Sequence, residues 1–339
     1  MKRALVTGGA GFIGSHLVER LLSQGTDVCV IDDLSTGAAR NLDAVRRSPL
    51  LHLYLDDMCN GPLLTELVDR VDVVFHLAAA VGVQLIVEDP VRTIETNIRG
   101  TEMLLERCGR KGRKVVLAST SEVYGKGGER RFSEEDDLVF GPTTRQRWSY
   151  GCSKAIDEFL ALAYAKNRRL PVVIVRFFNI VGPRQVGRYG MVVPRFVRQA
   201  LSGGPITVYG DGRQVRCFTH VSDALDAVCA LAVHPEAEGR IFNVGNDEAV
   251  TINELAERVR ALIDPNARIV HVPYGEAYAQ GFEDIRFRVP DIARLKECTG
   301  FAPRHDLDAI LRDVRDFVVN EADHPEAEHA PGPPGPVPG

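Results

Sequence analysis

The chain has 339 residues, with 41 Lys plus Arg against 46 Asp plus Glu for a net charge near −5, and 45% of its residues are hydrophobic. This is ordinary globular composition, long enough for one large α/β unit or two domains sharing a cleft. The near-neutral balance, with one Trp and 8 Tyr to stack on bases, argues against a nucleic-acid partner, and the longest apolar runs, at 71–75 and 174–181, fall short of the ~20 residues a bilayer requires.

From the start, short apolar runs alternate with helical periodicity. Strands are expected over 3–7, 28–32, 71–77, 114–119 and 172–177, and helices over 14–23, 64–69, 92–107 and 149–166, with a further apolar strand just before Asp57. That rhythm predicts a parallel sheet with right-handed crossovers, about six strands of it complete by Phe177. The fold class expected is α/β, a Rossmann doubly wound parallel sheet with a smaller C-terminal α/β substrate lobe. The division expected is 1–178 for the dinucleotide-binding domain, its sheet and helices completed by 219–247, and 179–218 with 248–321 for the substrate-binding lobe. Residues 322–339, rich in Pro, are expected to be a disordered tail. Met1, Lys2 and Arg3 run straight into strand-like sequence without a secretory leader. Seven scattered cysteines, never spaced Cys-x-x-Cys, predict reduced thiols in a cytoplasmic protein and no structural metal.

Between the first strand and first helix lies Thr7-Gly8-Gly9-Ala10-Gly11-Phe12-Ile13-Gly14. Glycines at 8, 11 and 14 let the backbone turn tightly and approach a pyrophosphate seated on unpaired helix amides. Asp32, at the end of the next strand, stands where an acid meets adenosine ribose hydroxyls and repels a 2′-phosphate, so NAD is favoured over NADP. Asp57 and Met58 are candidates for the adenine, and Leu77, Ala78 and Ala79 for small residues against the cofactor. Farther on, Tyr150 and Lys154 open a helix one turn apart on one face. A phenol with an ordinary pKa of about 10 becomes a useful base only if it is acidified, and a fixed ammonium with a cationic nicotinamide acts in that direction. Ser119, Thr120, Ser121 and Glu122 end a buried strand where a substrate hydroxyl could be met.

These motifs, with TGGAGFIG from Thr7, HLAAA from His76, NIRGT from Asn97, STSEVYG from Ser119, YGCSK from Tyr150, RFFNIVGPRQ from Arg176 and VYGDGRQVRCFTHVSDA from Val208, resemble the extended short-chain dehydrogenase/reductase superfamily, in its branch of nucleotide-sugar epimerases, dehydratases and decarboxylases. The resemblance runs from about Lys2 to Val319. It implies that Tyr150 removes the proton of a sugar 4-hydroxyl, that Lys154 binds the nicotinamide ribose and polarises Tyr150, and that Thr120 bonds the sugar oxygens. It implies further that Phe12, Ile13, Asp33, Thr36 and Gly37 complete the dinucleotide site and that Phe177 lies near the nicotinamide, where many 4-epimerases carry Tyr. Asn179, Arg216 and Arg288 look like diphosphate ligands, Val193 and Tyr209 occupy positions that often frame uracil, and Ser121 belongs to the substrate set.

Three reactions share such a scaffold: 4-epimerisation, 4,6-dehydration and decarboxylation of a uronate. Ser121 stands where dehydratases of the branch show Asp, which disfavours dehydration. The Thr120-Ser121-Glu122 triplet, with Gly141-Pro142 through Arg147-Trp148-Ser149-Tyr150, is similar to UDP-glucuronate decarboxylases. The 182–196 segment is more like 4-epimerases, and Arg188 within it could clamp a C6 carboxylate. The expectation is therefore an NAD-dependent UDP-sugar 4-epimerase converting UDP-glucuronate to UDP-galacturonate, with UDP-glucuronate decarboxylase, UDP-glucose 4-epimerase and a non-catalytic dinucleotide sensor as alternatives. Broad apolar coverage on the helices at 97–107 and 149–166 predicts a homodimer.

Overall fold

Apolar runs long enough to be buried on both faces build a parallel sheet; the inner strands here are of that kind, and the half-exposed Leu51–Leu55 closes one edge. The computed structural model describes residues 1–79, 90–186, 191–277 and 285–323. The chain lays down β1 (Arg3–Thr7), α1 (Phe12–Ser23), β2 (Asp27–Asp32), β3 (Leu51–Leu55), α2 (Gly61–Arg70), β4 (Val73–His76), α3 (Pro90–Lys111), β5 (Lys114–Thr120), α4 (Ser149–Arg168) and β6 (Val172–Phe177). The expected strands and helices are all present among these, with ends shifted by a few residues.

Beyond Phe177 the elements shorten: β7 (Ile180–Val181), α5 (Val192–Leu201), β8 (Ile206–Tyr209), β9 (Val215–Arg216), β10 (Thr219–His220), α6 (Val221–Val233), β11 (Arg240–Val244), β12 (Val250–Thr251), α7 (Ile252–Ile263), β13 (Ile269–Val272), α8 (Tyr274–Ala277), β14 (Phe287–Arg288), α9 (Ala293–Thr299) and α10 (Leu307–Asp323). The strand β11 returns to the main sheet beside β6, giving the order β11-β6-β5-β4-β1-β2-β3, all parallel. The fold class is the Rossmann-like α/β arrangement expected.

One face of the sheet packs Leu17, Val18 and Leu21 of α1 with Val228 and Leu231 of α6. The other packs Leu64 and Leu67 of α2, Leu104 and Leu105 of α3 and Ala161 of α4. A separate core of Phe196, Val197, Leu255, Val259, Ile310, Leu311 and Val314 joins α5, α7 and α10. Parallel register aligns the carboxyl ends of the strands: Thr7 stands opposite Ile31 and His76, and Thr120 opposite Phe177. Chemistry-bearing side chains therefore collect along one edge, where the connections emerge. Just behind that edge the buried Arg176–Glu158 ion pair, 2.6 Å long, fastens β6 to α4, and the Ser119 hydroxyl donates to the same carboxylate. No helix among the described residues is long and apolar enough to cross a membrane.

His76 ends β4 in full burial, its Nδ1 2.8 Å from Thr7 Oγ1 and its Nε2 3.1 Å from Thr101 Oγ1. Burial, reinforced by the charge of Lys154, lowers its pKa to about 3. The unfolded chain takes up a proton here near pH 6.5 while the folded chain does not, so stability falls as the solution is acidified from about 6.5 towards 3, by about 1.4 kcal/mol per pH unit from this group. Urea unfolding of His76→Gln across that window is expected to show a slope smaller by one proton than the unsubstituted chain.

Candidate active site

At the carboxyl edge of the sheet a cleft of about 830 Å³ opens between the strand ends and the shorter elements. Its floor is the turn from β1 into α1. Gly8 has φ +71°, and a Cβ there would lie 2.8 Å from the Ala78 amide nitrogen; a Cβ at Gly14 would lie 2.1 Å from the Gly8 carbonyl oxygen. Gly11 caps α1 with no side-chain bond to the first-turn amides and no acid in that turn. The turn thus presents open N–H groups in a cradle too tight for a side chain, which is what a pyrophosphate needs.

Asp32 follows at the end of β2. Its two oxygens accept from the amides of Ala10 and Leu34, each at 2.8 Å, and these bonds fix its direction into the cleft. Burial raises its carboxyl pKa and the two amides oppose the rise. Asp33 accepts from the Ser35 amide, Asp57 from the Cys59 amide, and the amide of Ala78 donates to Thr7 Oγ1. With Phe12, Ile13, Thr36, Met58, Leu77, Ala79 and Phe177, the residues Asp32, Asp33, Asp57 and Ala78 line this end of the cleft; Gly37 packs on the backbone of Ala10. Cradle, oriented acid and small-residue wall fit NAD.

The opposite end of the cleft is built by β5 and α4. Thr120 accepts from the Glu122 amide at 3.2 Å and bonds the Tyr150 hydroxyl. Tyr150, Lys154, Ser121 and Glu122 all reach the same cleft. Glu122 is held from two sides, by Arg147 at 2.5 Å and by Arg288 of β14. Burial alone would raise its carboxyl, but Arg147, Arg288 and Arg216 outweigh that and bring it down to about 2. Asn179, in the left-handed region with φ +41°, donates to the Cys217 carbonyl and accepts from Arg288. This locks Arg288 over Glu122.

The expected acidification of Tyr150 is not what the side chains produce. Burial raises the phenol's pKa, the carboxylates of Glu122 and Asp157 raise it further, and only the Thr120 bond opposes them. The Lys154 ammonium donates to Asp157. Of the expected substrate residues, Thr120, Ser121, Asn179 and Arg288 line the cleft. Val193, Tyr209 and Arg216 do not: Val193 is buried in α5, Tyr209 lies under the Arg195 guanidinium, and Arg216 bonds the Val215 carbonyl. Arg188 lies outside the described residues. Sequence reasoning assigned no role to Arg147, which is 7% exposed and stands one helical turn before Tyr150, or to Arg184, which lines the cleft and pairs with Glu19 of α1. Position relative to Tyr150 was the available signal for the first; the second carries none.

The model of the NAD dependent epimerase/dehydratase family matches residues 4–245. The chain is 45% identical over 304 residues, 89% of its length and 93% of the relative's, to a UDP-N-acetyl-alpha-D-glucosaminuronate decarboxylase of Bacillus cytotoxicus. It is 38% identical over 323 residues to UDP-glucuronic acid decarboxylase 1 of Arabidopsis thaliana, covering 94% of this chain and 71% of that one. Its structure is similar to that of a UDP-glucuronic acid 4-epimerase from Bacillus cereus in complex with UDP-glucuronic acid and NAD, with a TM-score of 0.83, 28% identity, and coverage of 94% and 99%. Gly14→Ala forces backbone against backbone at the phosphate turn, and is expected to weaken NAD binding at least tenfold by calorimetry while Asp57→Ala, at the adenine end, weakens it less.

Proposed function

The chain belongs to the NAD dependent epimerase/dehydratase family, and from that premise we propose that it is a UDP-hexuronate decarboxylase. The observation that carries the reading is the Arg147–Glu122–Arg288 cluster beside Tyr150. One carboxylate between two guanidiniums leaves a net positive charge in a largely dry site. That charge suits an incoming carboxylate and gives a neutral hexose nothing, so the substrate class is a uronate. The sequence likeness to two decarboxylases supports the same choice.

When bound, NAD supplies the reversible two-electron oxidation of the sugar's C4 alcohol. Tyr150 takes the proton of that hydroxyl and Thr120 holds the oxygen, which leaves a ketone β to the C6 carboxylate. The C5–C6 bond then breaks, its electron pair passes to the C4 oxygen as an enolate, and carbon dioxide leaves. Tyr150 and Thr120 remain within reach of that oxygen to hydrogen-bond it. Protonation at C5 and return of the C4 alcohol give a UDP-pentose, so the balance is one uronate and one proton to one pentose and one carbon dioxide. Glu122 stays ionised between its two arginines throughout the neutral range, and its part is to hold both guanidiniums at the sugar. An ion pair that grips the uronate also opposes the ring rotation that 4-epimerisation demands.

The second reading is 4-epimerisation of UDP-glucuronate to UDP-galacturonate, favoured by the likeness to the Bacillus cereus 4-epimerase. NMR of the products from UDP-glucuronate and its 2-acetamido analogue separates the two: a UDP-pentose with carbon dioxide is expected, and a UDP-hexuronate inverted at C4 would overturn the decarboxylase. Glu122→Gln is expected to lower kcat at least 100-fold, and Tyr150→Phe more. Binding of NAD without any turnover would favour the sensor.

We further propose a reducing, cytoplasmic setting, in keeping with seven free cysteines, and a homodimer. Phe159 and Ile156 of α4 are 69% and 47% exposed, and Val91 of the adjacent α3 is 63% exposed. These side chains make an apolar strip that a second copy would cover. Sedimentation velocity at micromolar concentration is expected to give a dimer, and Phe159→Asp a monomer.

A further inference from the structure

Lys154 does not stand alone behind Tyr150. Its Nζ donates to Asp157 Oδ2 at 2.7 Å, and the two side chains are 3% and 0% exposed. Behind that carboxylate a file of buried polar groups crosses to the ends of β4 and β1. The Thr101 hydroxyl of α3 faces Asp157 and pulls its carboxyl down, against the stronger upward effect of burial and with Glu158 adding negative charge. Asp157 Oδ1 closes no hydrogen bond of ordinary length. Thr101 Oγ1 lies 3.1 Å from His76 Nε2, His76 Nδ1 lies 2.8 Å from Thr7 Oγ1, and Thr7 Oγ1 accepts the Ala78 amide.

An amide can only donate, so the arrangement that leaves no proton idle runs one way. The Ala78 N–H is directed at Thr7, the Thr7 hydroxyl donates to His76 Nδ1, His76 Nε2–H donates to Thr101, and the Thr101 proton is left for Asp157. A neutral His76 is what this sequence of donors requires.

A sealed ammonium can neutralise one anion well. With Asp157 ionised, a phenolate at Tyr150 would be a second claim on Lys154, and the third negative charge nearby, Glu122, is already committed to Arg147 and Arg288. We propose that Asp157 is a positioning residue that acts through Lys154 to govern how readily the Tyr150 hydroxyl yields its proton, with Thr101, His76 and Thr7 filed behind the carboxylate. The resting enzyme keeps a protonated phenol, and the base is engaged only when the ammonium is drawn away from Asp157. The inference rests on the reading of Tyr150 as the base, yet its measurement needs neither NAD nor substrate.

Protein labelled with ¹³C at the tyrosine Cζ, with the Tyr150 signal identified by its loss in Tyr150→Phe, gives the ionised fraction of that one phenol. At a pH of about 10.5, Asp157→Asn is expected to raise that fraction about tenfold, equivalent to one pH unit. Asp157→Ser, which leaves a small acceptor for Lys154, serves the same purpose where the amide does not fold. In a Lys154→Met background only the direct repulsion between Asp157 and the phenolate is left to relieve, so the Asp157→Asn change is expected to raise the fraction clearly less. An unchanged or smaller ionised fraction in both Asp157 variants would overturn the proposal, and so would a rise that is just as large without Lys154. Failure of the chain to turn over any UDP-uronate would refute the decarboxylase reading and leave this titration as it stands.

Discussion

Two buried carboxylates, Glu122 and Asp157, stand on either side of one phenol, and the chemistry of the cleft turns on which cations they hold. At an effective dielectric near 20, a unit charge 4 Å away is worth about 4 kcal/mol, so charges of this kind decide whether a buried phenol can act as a base at all. Glu122 takes Arg147 and Arg288; Asp157 takes Lys154. These three cations are thus engaged before substrate arrives. A carboxylate-bearing sugar would compete with Glu122 for its arginines, and the charge it displaces is charge the phenol would feel.

The parallel sheet brings these groups together. Glu122 follows β5, Lys154 lies on α4, Arg288 sits on β14 far along the chain, and the Arg288–Glu122 bond closes a loop of 166 residues. Parallel strands end on one edge, and each crossover helix starts beside it, so residues remote in sequence arrive at one rim. The buried Arg176–Glu158 pair at the same level does no chemistry of this kind. It fixes the carboxyl end of β6 against α4, and breaking such a pair by removing one partner typically costs about 3–5 kcal/mol.

Much of this was legible beforehand. Apolar runs bounded by turns located β1, β2, β4, β5 and β6, because a strand buried on both faces must be apolar throughout. The phosphate turn could be read at Gly8 and Gly14 because no other residue fits a backbone approach this close. The partners of charged side chains could not be read. An i, i+4 spacing says that Tyr150 and Lys154 share a face, but Asp157, three residues beyond the lysine, has an equal local claim, and only burial of both decides the contest for the carboxylate. Arg288 resembled a diphosphate ligand by position along the chain, while its place over Glu122 depends on Asn179, whose left-handed backbone turns its amide towards both Cys217 and Arg288.

The same distinction explains how the cleft keeps its shape. Across its mouth, Glu321 at the end of α10 meets Arg40 at 3.5 Å and Arg198 at 3.3 Å, all about a third exposed or more. Pairs so open to solvent contribute under about 1 kcal/mol each and weaken with salt. They cannot set the distance between the strand ends and α10. That distance is set by Leu307, Ile310, Leu311 and Val314 packed on α5 and α7, side chains whose burial is worth about 1.5–3 kcal/mol apiece. Apolar packing therefore carries the geometry, and the sealed charges are free to be arranged for chemistry: an arginine pair that would be a poor investment for stability alone is tolerated because the cores on both sides hold it where a sugar carboxylate would arrive.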